Sequence, residues 1–349
     1  LHLSLRRQRQ MCIRDRLRIT PSEMTSAHGA LYTHKDCREV FDYPIPGETE
    51  MTAQRLDGRK LAKTIENDLA PKVVALTREI GRPPRLVVVL VGDVAASASY
   101  VKSKAAAAKR VGITADVFSI QESTTTAELV STVEAIGRDE HGPADGILVQ
   151  LPLPDHVDAR AVLDAVPPDR DVDGFHPVNA GLLSQGRPHF IPCTAAGVQK
   201  MLLDAGVETR GKHAVIVGRS DIVGKPLALL LASRGPGGDA TVSVCHSHTS
   251  NLKEVTQQAD ILIAAVGIPQ LITADMVKPG AVVIDVGINR ISDGDTSRLV
   301  GDVDYDPVAE VAEAVSPVPG GVGPLTVAML LENTFFAAKE RKKRPGMAE

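Results

Sequence analysis

Apolar residues along this chain fall into two alternating kinds of run. One kind is short, unbroken and rich in β-branched residues: Leu86–Val91, Gly146–Leu151, Ala214–Val217, Ala240–Cys245, Ile261–Val266 and Ala281–Val286. Such runs suit strands buried on both faces of a parallel sheet. The other kind recurs every three or four residues. Leu61, Ile65, Leu69, Val73 and Leu76 predict an amphipathic helix that ends at the Gly81–Pro84 break. Helices are also predicted from the Ala/Ser-rich segment after Gly92 through Lys109, over Thr126–Ile136 and Ala196–Ala205, from near Pro226 to Gly235, and over Thr326–Lys339. Ile113–Ile120 reads as a further strand. Two successive series of alternating strands and helices predict an α/β protein of two α/β domains, each with a parallel sheet. Between the series, Pro152–Thr194 is dense in Pro, Gly, Asp and His and predicts a long loop without regular structure.

The length of 349 residues allows two cores. Trp is absent and aromatics are 3%, so those cores must be built from Val, Ile, Leu and Ala. A net charge of -4 gives no electrostatic reason to expect nucleic acid or an anionic membrane as partner. The apolar runs fall far short of the roughly 18 residues of a membrane span. Cys12, Cys37, Cys193 and Cys245 form no C-x-x-C pair, which argues against a zinc site or disulfide framework and for a reducing, cytoplasmic setting. Residues 1–18 hold six arginines against the single acid Asp15, a bias shared with organellar transit peptides. Yet Asp36, Glu39, Asp42, Glu48 and Glu50 follow, and no apolar h-region does. The composition therefore favours a disordered or non-native N-terminal extension over residues 1–50 rather than a targeting signal, with the folded chain starting near Met51.

Two stretches carry candidate chemistry. Tyr100 and Lys104 lie four apart on the helix that follows Leu86–Val91, so they share a face just beyond the C-terminal end of a buried strand. Taken alone, a pattern this short is better read as a packing tyrosine and a solvated surface lysine. In the second series, Val217-Gly-Arg-Ser-Asp-Ile-Val-Gly-Lys-Pro226 links a strand to a helix. Gly218 and Gly224 allow close backbone approach, and the helix N-terminus favours a pyrophosphate, as in a Rossmann-type domain, although the full G-x-G-x-x-G is missing. The next strand ends in His246-Ser247-His248-Thr249, without the acid that would bond a ribose 2′-hydroxyl. With Arg219 in the loop, a 2′-phosphate is the better fit, so NADP is expected over NAD.

Six segments together resemble one family. They are Tyr100-Val-Lys-Ser-Lys104, Val149-Gln-Leu-Pro-Leu-Pro154, Asp171-Val-Asp-Gly174, Gly218-Arg-Ser220, Asp285-Val-Gly-Ile-Asn289 and Pro317-Val-Pro-Gly-Gly-Val-Gly-Pro-Leu-Thr326. In this order and spacing they are similar to the bifunctional methylenetetrahydrofolate dehydrogenase/methenyltetrahydrofolate cyclohydrolase family. Ala195 stands where that family usually has Pro, and Leu325 where Met is common.

The resemblance implies two α/β domains flanking a cleft. The folate-binding catalytic domain would span 51–196 plus 325–345, so that the C-terminal helix returns to it. The Rossmann-type NADP domain would span 197–324. It further implies oxidation of 5,10-methylenetetrahydrofolate with NADP and hydrolysis of the methenyl product to 10-formyltetrahydrofolate, by a homodimer. By the same resemblance Lys104 is the central catalytic group, Gln150 bonds its amine and Tyr100 positions the substrate. Val149, Leu151, Asp173, Pro319, Gly320, Gly321, Gly323 and Pro324 would contact tetrahydrofolate derivatives, with Asp173 on the pterin ring. Gly218, Arg219, Ser220, Gly224, Ser247 and Ile288 would contact NADP. Asp171 and Asp173 could on their own be read as a metal-binding pair, but there are only two carboxylates and the scattered histidines show no ligand spacing, so no metal is expected. Short-chain dehydrogenases also use Tyr-x-x-x-Lys, but there the pair follows the Gly-rich loop, whereas here it precedes it. A protein of this fold with one activity retained, or a non-catalytic NADP sensor, is the other reading.

Overall fold

The computed structural model of this protein describes residues 53–92, 95–293 and 296–343. The extension expected over residues 1–50 lies outside them. The chain opens with β1 (Gln54–Arg55) and α1 (Gly58–Ile80), followed by β2 (Arg85–Val91), α2 (Ala95–Val111), β3 (Thr114–Ile120), α3 (Thr126–Gly137) and β4 (Gly146–Val149). Asp57 starts α1 by accepting the Lys60 N–H at 3.0 Å, and Gly81 ends it at φ 76°, where a side chain would be strained. The predicted stripe Leu61, Ile65, Leu69, Val73 and Leu76 is buried.

β3-β2-β4 form a three-stranded parallel sheet. Period-two alternation divides β2 between two cores. Val87, Val89 and Val91 pack with Leu129, Val133 and Ile136 of α3. Leu86, Val88 and Leu90 face the core shared with α1 and the C-terminal helix.

The expected long loop instead contains two short helices, α4 (Ala159–Asp164) and α5 (Pro177–Ser184). Asp158 caps α4 through the Arg160 and Ala161 N–H groups, and the His176 ring caps α5 ahead of Pro177. At six and eight residues they are too short to display a 3.6-residue period. The predicted third strand also stops early, at Val149, so Gln150 stands just past the sheet and only part-buried.

The second half comprises α6 (Cys193–Asp204), β5 (His213–Val217), α7 (Gly224–Ala232), β6 (Thr241–Cys245), α8 (Leu252–Thr256), β7 (Ile261–Ala264), β8 (Val282–Asp285), β9 (Asn289–Asp293), β10 (Thr296–Val300), α9 (Tyr305–Ala309) and β11 (Ala314–Val315). A parallel six-stranded sheet runs β1-β11-β8-β7-β5-β6. β1 therefore pairs into this second sheet through Gln54 and Arg55, a correction to the assignment of everything from Met51 to the first domain. Two residues carry no readable period, so their pairing is decided by the free edge of β11. The β9–β10 hairpin is antiparallel and was not predicted, because Asn289–Val300 alternates too many charged residues to read as a buried run.

The last helix, α10 (Val322–Lys342), begins four residues earlier than the periodicity suggests. It is also buried around most of its girth, including Leu325, Ala328, Met329, Leu331 and Thr334, rather than along one stripe. It packs against α6, α1 and β4. Asn333 donates to the Val172 carbonyl at 2.8 Å, and Arg341 reaches Asp139 at 2.7 Å. The chain's end thus returns to the first sheet.

Candidate active site

Parallel strands deliver their following loops to one edge, and the catalytic candidates collect there. α2 follows β2, Gln150 follows β4, and an isolated parallel bridge Ile147↔Asp171 sets Asp173 level with the end of β4. Lys104, 5% exposed, donates from Nζ to Gln150 Oε1 at 2.9 Å. Gln150 Nε2 in turn donates to the Leu151 carbonyl at 2.7 Å. That bond fixes the amide so that its oxygen faces the amine, which offers donors only. The Tyr100 ring lies beneath, with Nζ 4.9 Å from its centroid.

Burial lowers the Lys104 pKa, opposed by the nearby Asp173 carboxylate. Burial pushes Asp173 up to about 6, opposed by Lys104 and reinforced by Asp171. The Tyr100 phenol is raised to about 12 by burial and by Asp173, while its bond with Thr326 works the other way. The site thus holds an amine weakened as a cation beside a carboxyl weakened as an anion, the pairing expected where protons are exchanged. Asp171 is committed to structure: its carboxylate accepts from the His176 N–H and Asn179 Nδ2, both at 2.8 Å. Among the described residues no group of three or more His, Cys, Asp or Glu is placed to hold a metal ion.

A cavity of about 820 Å³ is bordered by Tyr100, Ile288, Pro319, Gly320, Gly321, Gly323 and Pro324, with α1 on the other side. Lys104, Val149, Gln150, Leu151 and Asp173 do not line it; Lys104 stands over the Tyr100 ring, which does. The Pro317–Thr326 segment divides at Gly321. Val322 onward is helical, and Pro324 falls in the first turn, where its missing N–H has no partner to lose. A Cβ on Gly58 would lie 1.8 Å from the Gly321 carbonyl oxygen, so α1 and this loop touch backbone to backbone.

At the second sheet the chain order reverses between β5 and β7, the crevice where open α/β sheets hold ligands. Gly218, at φ 130°, sits at that point, and a Cβ there would lie 2.1 Å from the Ala265 carbonyl oxygen. A Cβ on Gly224 would meet the Gly218 carbonyl oxygen at 2.1 Å. Both glycines are therefore required by protein packing itself, whatever binds outside. The Ser220 hydroxyl accepts the Val223 N–H at 3.2 Å and caps the turn into α7. β5 and β6 pair Val217 with Cys245, so Arg219 and Ser247 each stand two residues past one rung. Arg219 and His248 both depress the pKa of His246, after the effect of desolvation. Arg219 has no ion-pair or hydrogen-bonding partner among the described residues. A free guanidinium beside a serine turn fits a phosphate on the ribose.

Sequence reasoning missed two neighbours of Lys104 and Tyr100. Cys193, buried at the start of α6, places its thiol beside Asp173 and donates to the Val172 carbonyl at 3.3 Å. Thr326 of α10 pairs with Tyr100. Neither carries a local signal, since each arrives from a distant element. Ala195 and Leu325 are both fully buried, so these two departures from the family pattern are packing changes.

Two family models match the chain: the tetrahydrofolate dehydrogenase/cyclohydrolase catalytic domain over residues 56–173 and the NAD(P)-binding domain of the same enzymes over 192–342. The chain belongs to the tetrahydrofolate dehydrogenase/cyclohydrolase family. The bifunctional protein FolD of Rhodopirellula baltica is 53% identical over 301 residues, covering 83% of this chain and 98% of that protein. The structure of the Campylobacter jejuni bifunctional FolD dehydrogenase/cyclohydrolase is 46% identical, with a TM-score of 0.77, and covers 83% of this chain and 99% of that one. The Trypanosoma brucei enzyme, solved with NADP cofactor and inhibitor, is 39% identical with a TM-score of 0.79, covering 84% and 99%. No helix among the described residues is long and apolar enough to cross a membrane.

Proposed function

We propose that this chain oxidises 5,10-methylenetetrahydrofolate to the 5,10-methenyl form with NADP and hydrolyses that product to 10-formyltetrahydrofolate. The observation that carries the reading is the buried Lys104 amine held by Gln150 beside Tyr100 and Asp173. NADP, when bound, supplies the hydride acceptor. Loss of hydride leaves a cation shared by two folate nitrogens. Water must then add to that carbon and lose a proton, so a base is needed next to positive charge. A carboxylate there would pair with the cation and stabilise it; an amine partly deprotonated by burial accepts the proton without doing so.

Gln150 keeps Nζ aimed, and Tyr100 closes one side of the amine. Asp173 offers two acceptor oxygens to paired N–H donors of a pterin ring. Val149 and Leu151 flank Gln150, while Pro319, Gly320, Gly321, Gly323 and Pro324 shape the neighbouring wall. On the cofactor side, Arg219 and Ser247 suit the 2′-phosphate. Gly218, Ser220 and Gly224 form the turn before α7, and Ile288, 53% exposed, offers an apolar contact. In this division 51–196 with 325–345 forms the folate side and 197–324 the NADP side, apart from the strand exchange by Gln54–Arg55. We place the enzyme in the cytoplasm and as a homodimer; light scattering of the purified chain tests the dimer.

Absorbance-monitored turnover of methylenetetrahydrofolate with NADP checks the whole reading. The methenyl product should rise and then decay. No methenyl signal would end the dehydrogenase assignment, and a methenyl signal that decays no faster than in buffer would end the cyclohydrolase one.

A further inference from the structure

Two buried carboxylates lie together beneath the cofactor side of the cleft, and none of the roles above uses them. Asp285, the last residue of β8, is 3% exposed, and Asp302 is 0% exposed. Asp285 accepts the backbone N–H groups of Gly287, Asp302 and Val303, each at 2.9 Å. Asp302 accepts those of Val266 and Gly267 at 2.7 and 2.9 Å, and the side-chain amide of Asn289 at 2.8 Å. Two side chains thus gather six donors, five from the loops after β7, β8 and β10 and one from Asn289 at the start of β9. Neither has an ion-pair partner among the described residues. Space for the pair is kept by glycines: a Cβ on Gly301 would fall 1.7 Å from Asp285 Oδ2, and one on Gly287 would fall 2.2 Å from Asp302 Oδ1.

Adjacent buried anions held by neutral donors alone are costly, and an apolar pair would fill the same space more cheaply. Burial, with Asp302 adding to it, raises Asp285 to about 7 against the pull of its three amide donors. What the arrangement gains is rigidity of loops that meet the cleft. Asp285, Val286, Gly287 and Ile288 line the cavity. In a doubly wound sheet the cofactor crosses the switch point with one nucleotide on each half. Arg219 and Ser247 mark the phosphate-bearing half over β5 and β6, which leaves the loops after β7 and β8 for the nicotinamide.

We propose that Asp285 and Asp302 are positioning residues for the nicotinamide half of NADP, acting through the loops 265–267 and 286–289. The inference rests on the proposed use of NADP. It also predicts a split that a general packing role would not produce. The cyclohydrolase step uses the first sheet's residues and is measurable with methenyltetrahydrofolate in the absence of NADP.

Asp302→Asn keeps the volume but turns one acceptor into a donor against an N–H. The loss of one such bond corresponds to about a tenfold weaker NADP affinity. The expected result is that rise in Kd, read by titration of the full chain with NADP, with NADP-free cyclohydrolase turnover within about twofold of the parent. Asn289→Ala removes only the side-chain donor and should weaken NADP by a smaller factor, so it decides the matter if the first variant does not fold. Unchanged NADP affinity in the variants that fold, or parallel loss of both activities, overturns the proposal. Failure of the unaltered protein to bind NADP would instead overturn the functional reading beneath it.

Discussion

Lys104 and Tyr100, one turn apart on α2, are stacked so that the amine lies 4.9 Å from the ring centroid. Two opposite effects meet there. An aromatic face favours the ammonium, by about 0.5–2 kcal/mol. Desolvation disfavours it and is the larger influence, so the amine's pKa falls. The Cys193 thiol, pushed well upward by burial, stays neutral and offers little charge to reverse that. A base of moderated strength is the outcome.

Replacing Lys104 by Met keeps the chain's length and apolar stem while deleting the proton acceptor. Cyclohydrolase turnover should fall by at least about 100-fold, the usual contribution of general-base catalysis. NADP affinity should stay within about twofold, since the residues proposed to hold the cofactor follow the strands of the other sheet. Turnover equal to the parent's would remove Lys104 from its role.

Gln150→Glu puts a carboxylate where Nζ now meets an amide oxygen at 2.9 Å. An anion there stabilises the ammonium and raises its pKa. The limb of the cyclohydrolase pH–rate profile that reports deprotonation should move to higher pH. A limb that stays in place would mean another group sets it.

Asp173 gives a pH dependence of known sign. Its carboxyl is raised from 3.8 to about 6, so the folded protein binds its proton more tightly than the unfolded chain does. The stability this contributes is fully present below the unfolded value and is lost as pH rises through about 6. Substrate binding runs the other way, because the pterin donors need the ionised form. The KM for methylenetetrahydrofolate should rise as pH drops below about 6, and Asp173→Asn should flatten that rise. A parent KM that is level across the range contradicts the assignment.

Arg219→Ala should cost roughly 1.5–3 kcal/mol of NADP binding, the range for a charge-assisted hydrogen bond, and little of NAD binding. The ratio of the two kcat/KM values reads this directly. A ratio that does not change would put the 2′-phosphate elsewhere.

Asp145 tests the tie between the C-terminal helix and the first sheet. Fully buried, it accepts from Arg82 at 2.6 and 2.8 Å, from the Arg85 N–H at 2.8 Å and from Arg341 at 3.4 Å. Asp145→Ala leaves guanidinium groups facing an emptied site and should destabilise the fold by about 3–5 kcal/mol in denaturant titration. A loss under about 1 kcal/mol would show that Arg341's bond to Asp139 suffices on its own.

The pattern of the chain alone settled the α/β class, most helices and strands to within a few residues, and the turn at Gly218. These are set by local rules: a two-residue period for strands, a three-to-four-residue period for helices, and glycine where the backbone crowds. Family resemblance, carried by six short segments, added the roles. What the linear order withheld is everything that depends on distant partners. α4 and α5 are too short for a period, α10 is enclosed on more sides than the one apolar face its period marks, and Gln54–Arg55 joins a sheet whose edge forms some 260 residues later. The meeting of Lys104 with Gln150, Asp173 and Cys193, and the clasp of Asp285 with Asp302, are likewise tertiary facts. Burial shifts a proton affinity, and burial is decided by which elements close over a group, not by its neighbours in the chain.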